Sequence, residues 1–243
     1  ATGTVNLTTV TGNLTLNGLS TVGNLNATAA GTLILSGANI TLSSGNGTLT
    51  GGNATSAGSG IIFSGNNTLN ANNGTLNITG TTATGLGLSL SGITLNTTGN
   101  VALFGNATAD GGNGAQSSTT TLNANSGTLN ITGTTATAFG FLMTNSTLNT
   151  TGAISLFGNA TSGYGFGFPV GTTTLNANSG NLKITSTTAN RSGLIFSNYN
   201  LNTTGSVSIF GNSNYYGVEL RSIPTFNANS GTLNITGTTA NGT

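Results

Sequence analysis

The chain has 243 residues, yet only five are charged: Asp110, Lys183, Arg191, Glu219 and Arg221. Three scattered cations cannot replace the counterions of a nucleic acid, and a chain without His or Cys has no metal site, disulfide or nucleophile relay built on those residues. No cofactor is expected, and no apolar run reaches the roughly 20 residues that a membrane-spanning helix needs.

From the start, Ala1–Val10 alternates apolar and polar residues as a half-buried strand does. A repeated unit becomes plain further on. TLNANNGTLNITGTTAT starts at Thr68, TLNANSGTLNITGTTAT at Thr121, TLNANSGNLKITSTTAN at Thr174 and TFNANSGTLNITGTTAN at Thr225. Between them lie TLNTTGNVALFGNAT from Thr94, TLNTTGAISLFGNAT from Thr147 and NLNTTGSVSIFGNSN from Asn200. Both phrases are one unit, aligned on Leu69, Leu95, Leu122, Leu148, Leu175, Leu201 and Phe226 in steps of 25–27 residues. Extending the phase back to Leu42 and Leu16 gives about nine copies. A period of this length marks a stacked repeat architecture.

Inside the unit the apolar period is two. Leu76 and Ile78 share one face, and Thr75, Asn77 and Thr79 share the other. No segment carries helix caps or a 3.6-residue period. Three strands are expected per unit, near Thr68–Ala71, Thr75–Thr79 and Leu86–Leu90, with Gly, Asn and Thr in the turns. The expected fold is therefore all-β: a parallel β-helix of about nine coils, three short strands per coil, continuous over residues 1–243. At about 4.8 Å per coil, the rod would be roughly 40 Å long.

Stacking also accounts for the missing charge. A charged position in the repeat would sit directly on its own copy, which destabilises a sheet. Asn and Thr avoid this, and stacked amides bond to one another along the axis. The expected ladder is Asn70, Asn96, Asn123, Asn149, Asn176, Asn202 and Asn227, with a second in alternate coils at Asn77, Asn130 and Asn234.

The alternation of L-N-I-T-G-T and G-N-V-x-L-F-G phrases resembles the repeat region of filamentous-haemagglutinin-like exoproteins. These are large β-helical adhesins exported by two-partner secretion in Gram-negative bacteria. The resemblance covers essentially all of the chain. Neither Pro169 nor Pro224 lies in the Asn-Pro-Asn motif of that family's secretion domain. The resemblance thus implies a shaft segment, placed outside the cell or on the bacterial surface, non-catalytic, with structural or adhesive work to do. The partners it implies are further coils or copies of itself, and glycans or proteins of a host or neighbouring cell.

The residues offer little chemistry of their own. Asp110 and Glu219 lie about four coils apart, too far for a paired acid and base. Glu219 and Arg221 sit two apart and are expected to form an ion pair. Aromatic residues concentrate in the third segment of each coil, including Tyr164–Val170 and Leu194–Tyr199. Phe139, Phe141, Phe166 and Phe168 either fill the core or, with Tyr164, Tyr199, Tyr215 and Tyr216, form a face for glycans or a neighbouring fibre. Tyr199, Tyr215 and Tyr216 are the expected exposed members, because a phenol favours a wet edge. Phe104, Phe157 and Phe210 recur every 53 residues before a Gly-Asn pair. They either pack into a corner or form a lateral docking stripe. The many Asn-x-Thr triplets follow from composition or mark glycosylation. A flat ice-binding array is a further alternative, but Thr75 and Thr79 lack the Thr-x-Thr spacing, and Phe replaces Thr79 in alternate coils. Finally, neither end reads as a cap. End-to-end stacking would set Thr243 of one copy near Ala1 of the next.

Overall fold

The computed structural model describes residues 3–18, 21–42, 45–109, 111–168, 171–222 and 225–240. Ala1, Asp110, Pro169, Val170, Pro224 and Thr243 lie outside this set. The described residues are all-β, and no helix among them is long and apolar enough to cross a membrane. The strands form three parallel sheets of ten, nine and nine strands. One coil runs through Asn67–Ala71 in the third sheet, Thr75–Thr82 in the first and Leu88–Ser91 in the second. It then returns to the third sheet at Ile93–Thr97, beside its starting strand. The result is a β-solenoid of about eight turns.

The count and phase differ from the expectation at the amino-terminal end. Ile40, not Leu42, pairs with Leu69, and Leu42 pairs with Ala71. Leu16 belongs to the second sheet, opposite Leu35. The early coils are shorter: Thr4 pairs with Asn24 and Leu25 with Gly47, steps of 20 and 22 residues. Later steps in the same sheet are 25 from Leu76 to Val101 and 28 from Val101 to Leu129. A slip of two residues keeps every side chain on its face. Hydrophobic alternation alone therefore cannot detect it.

Two corners explain how three sheets close. The strand Thr75–Thr82 does not end at Thr79 but continues through Gly80, which faces inward. A Cβ at Gly80 would collide with the carbonyl oxygen of Gly87, so glycine lets the first sheet approach the second. The corner from second to third sheet uses one left-handed residue per coil. These are Gly18, Gly37, Gly65, Gly92, Thr119, Asn145, Gly171, Asn198 and Ser222, with φ between 47° and 81°. Glycine adopts this conformation freely and asparagine tolerates it, whereas β-branched Thr119 is strained there.

The core is a set of columns running along the axis. Leu76, Val101, Leu129, Ile154, Leu182 and Val207 stack in the first sheet, and all are buried. The facing column of the second sheet carries Leu33, Ile61, Leu88, Ala115, Phe141, Phe166 and Leu194. Buried hydroxyls close on backbone carbonyls, as Thr203 does on Ala177 at 2.7 Å and Thr120 on Leu90 at 3.0 Å.

Two stability measurements test this layout. Leu129→Ala should cost about 2–5 kcal/mol, because it opens a cavity in a continuous column. Asn130→Lys should cost less, since Asn130 is exposed between Ala102 and Ser155. The reverse order in denaturant unfolding would invert the inside–outside assignment. Thr119→Gly should raise stability by about 1 kcal/mol by relieving the left-handed strain. A loss of stability would show that Thr119 is held there by contacts worth more than the strain.

Candidate functional site

The three outer faces differ in chemistry. On the third sheet the Asn column forms an unbroken amide chain. Each Nδ2 donates to the Oδ1 of the preceding coil, from Asn96 onto Asn70 through to Asn227 onto Asn202, at 2.7–2.8 Å. Asn70 in turn donates to Thr41 Oγ1 at 3.4 Å. Beside this column stand Thr68, Thr94, Thr121, Thr147 and Thr174, in register. The second expected ladder does not form. Ala102 separates Asn77 from Asn130, and Ser155, Lys183 and Ser208 separate Asn130 from Asn234. Residues of alternate coils are two strand spacings apart, beyond hydrogen-bond reach.

On the first sheet, Phe104, Phe157 and Phe210 face outward and are half-buried. The expected corner packing is corrected here. Gly105 and Asn106 continue the strand Asn100–Ala107, so strict alternation holds and the ring cannot turn in. Each Phe lies between threonines of the adjacent coils, as Phe104 does between Thr79 and Thr132. Thr79 and Thr81 do share a face at Thr-x-Thr spacing, as do Thr132 and Thr134. Phe–Asn ranks interleave with them, and Thr134 donates to Asn106 Oδ1 at 2.6 Å. The outer face is thus ridged instead of flat.

The aromatic residues divide between inside and outside. Phe141, Phe166, Phe168 and Phe196 are fully buried and touch in sequence, with ring centroids 4.9–5.2 Å apart. Tyr199, expected to be exposed, is 1% accessible and stacks 5.4 Å from Phe168. It starts the strand Tyr199–Thr203 on the inward face, and alternation decides its side over the preference of its hydroxyl. That hydroxyl has no hydrogen-bond partner among the described residues, and burial pushes its pKa up. Phe139 lies outside, half-buried, stacked 4.8 Å from Tyr164 with its ring over Gly167.

Tyr164 leads to the place where charge gathers among the described residues. At the corner between the first and second sheets, three successive coils bring together Tyr164, then Arg191 and Ser192, then Tyr215, Tyr216, Glu219 and Arg221. They bound a pocket of about 610 Å³ that holds three of the five charged residues and three of the four tyrosines. Arg191 donates from Nη1 to the Tyr164 hydroxyl at 3.0 Å, its guanidinium carbon 5.1 Å from the ring centroid. Arg221 Nε donates to Glu219 Oε1 at 2.7 Å, and buried Ser192 donates to Oε2 at 2.8 Å. Tyr215 and Tyr216 meet edge to face at 4.3 Å and remain 59% and 41% accessible.

The sequence reading found the Glu219–Arg221 pair but not the pocket. The overlooked signal was the coil step: one coil back from Arg191 falls on Tyr164, and one coil forward falls on Tyr216. Partial burial raises the Glu219 pKa. The hydrogen bonds from Arg221 and Ser192, with the charge of Arg221, outweigh this and hold the carboxyl below its usual value.

Comparison of the chain with protein-family models, curated proteins and solved structures gives no match.

The pH dependence of stability follows from so few titrating groups. A carboxylate with a depressed folded pKa stabilises above its unfolded value of about 4.3 and loses that contribution as pH falls through the folded value. Thermal unfolding should therefore be nearly flat from about pH 5 to 9, with a slight fall below about pH 4. Glu219→Gln should remove the Glu219 part of that fall. A steep acid transition followed by circular dichroism would contradict this.

Proposed function

We propose that this chain is a non-catalytic shaft segment of an extracellular bacterial surface fibre. The observation that carries the reading is the in-register parallel stacking of nearly uncharged coils, with one Asn amide chain running from Asn70 to Asn227. Such a stack is quasi-one-dimensional: each coil pairs its strands with those of its neighbours, and length can grow without a new core. The likeness of the repeat phrases to filamentous-haemagglutinin-like shafts supports the placement outside the cell and the adhesive role.

Assembly along the axis follows from the same stacking: a further coil, from the same polypeptide or from a second copy, pairs its backbone groups with those of the coil before it, as the described coils do. Charge repulsion, a common brake on edge pairing, is nearly absent in a chain with net charge +1.

Negative-stain microscopy of the purified chain tests the assembly. Self-stacking should give rods that lengthen with concentration in multiples of roughly 40 Å. Monodisperse particles of that single length would rule it out and leave continuation within one polypeptide. Antibodies to the chain should label intact cells of the source bacterium; labelling only after lysis would overturn the surface placement.

A further inference from the structure

We propose that the corner pocket around Tyr164, Arg191, Tyr215, Tyr216 and Glu219 binds a carboxylated saccharide, the sugar ring against the exposed tyrosines and its carboxylate on Arg191. This goes beyond the filament reading, since a copy that never stacks still carries the corner.

Every other described surface of the rod is built from uncharged residues, with Lys183 the only further charge among the described residues. Closing the coil does not require charge at this corner. Two of the equivalent turns of earlier coils are uncharged, at Ala83-Thr84-Gly85 and Ala136-Thr137-Ala138, and the one between them carries the single charge of Asp110. Three charges in adjacent coils are therefore an addition to the repeat and not a consequence of it.

Glu219 has both oxygens engaged, one by Arg221 and the other by Ser192. Its charge is thus matched by Arg221. Arg191 has no carboxylate partner among the described residues, and the pocket carries a net positive charge that falls on it. Its guanidinium is positioned from one side only, by the Tyr164 hydroxyl and ring, and Tyr164 is itself backed by Phe139. The remaining N–H groups are left to a ligand. A guanidinium fork matches a carboxylate in two parallel hydrogen bonds.

The exposed tyrosines select a saccharide. Tyr215 and Tyr216 offer ring surface and hydroxyls side by side, which suits a ligand with an apolar C–H face rimmed by hydroxyls. A volume of about 610 Å³ falls in the range of small-ligand sites. Of the strands flanking this corner, Tyr164–Phe168 and Leu194–Ser197 are paired on both sides, whereas Val218–Arg221 is paired on one side only, so an extended acidic peptide is the competing ligand that the hexaglutamate probe addresses.

Calorimetric titration of the full chain tests the inference, with trigalacturonic acid, a sialylated trisaccharide, the methyl ester of the first and a hexaglutamate peptide as probes. At least one acidic saccharide should bind, and methyl esterification should weaken trigalacturonate binding roughly tenfold or more, the worth of a charge-assisted hydrogen bond. Arg191→Gln should cost a similar factor, and Tyr215→Ala should also weaken binding. Both positions are exposed, so each variant checks the other should one fail to fold. Lys183→Gln, which removes a cation from the outer face of the first sheet, should change nothing. The proposal is overturned if neither acidic saccharide binds, if acid and ester bind equally, if Lys183→Gln matches Arg191→Gln, or if hexaglutamate binds as tightly as the sugars.

Discussion

Parallel strands stacked in register place each residue one strand spacing from its own counterpart, and the rest of the molecule follows from that. A side chain is selected for how it sits on a copy of itself. Asparagine succeeds because its amide is both donor and acceptor, so each Asn from Asn96 to Asn227 donates to the coil before it at 2.7–2.8 Å. A carboxylate or ammonium in the same column would face its own charge at that distance. The outer face of the first sheet solves the problem differently. There bulky Phe104, Phe157 and Phe210 alternate with threonines, so that no ring meets a ring.

The same constraint acts on the core, where it favours like upon like. Leucine columns fill the early coils, and Phe141, Phe166, Phe168, Phe196 and Tyr199 fill the later ones as a chain of touching rings. Corners are where the stack tolerates variation. Strand register is fixed by burial on one side, so residues are gained or lost in turns. This is why coil steps change from 20 to 28 residues while the columns stay intact. It is also why an added cluster of charge and tyrosine can appear at one corner without disturbing the ladder on the third sheet. There Arg191, Glu219 and Arg221 face different partners instead of copies of themselves.

The all-β parallel solenoid, its three strands per coil and the Asn column were legible in the sequence. A period-two pattern inside a repeat of about 26 residues leaves few other ways to bury Leu76 and Ile78 together. Three things needed the tertiary structure. The register of Ile40 did, because a two-residue slip preserves the face, and the sheet taken by Leu16 did, because the early coils are shorter than the 26-residue step. The side taken by Tyr199 and Phe104 did, because strand boundaries fix alternation and composition does not reveal them. The pocket did as well, because residues about 26 apart become neighbours only when coils of unequal length are stacked, and the unequal lengths reside in turns that carry no hydrophobic signal.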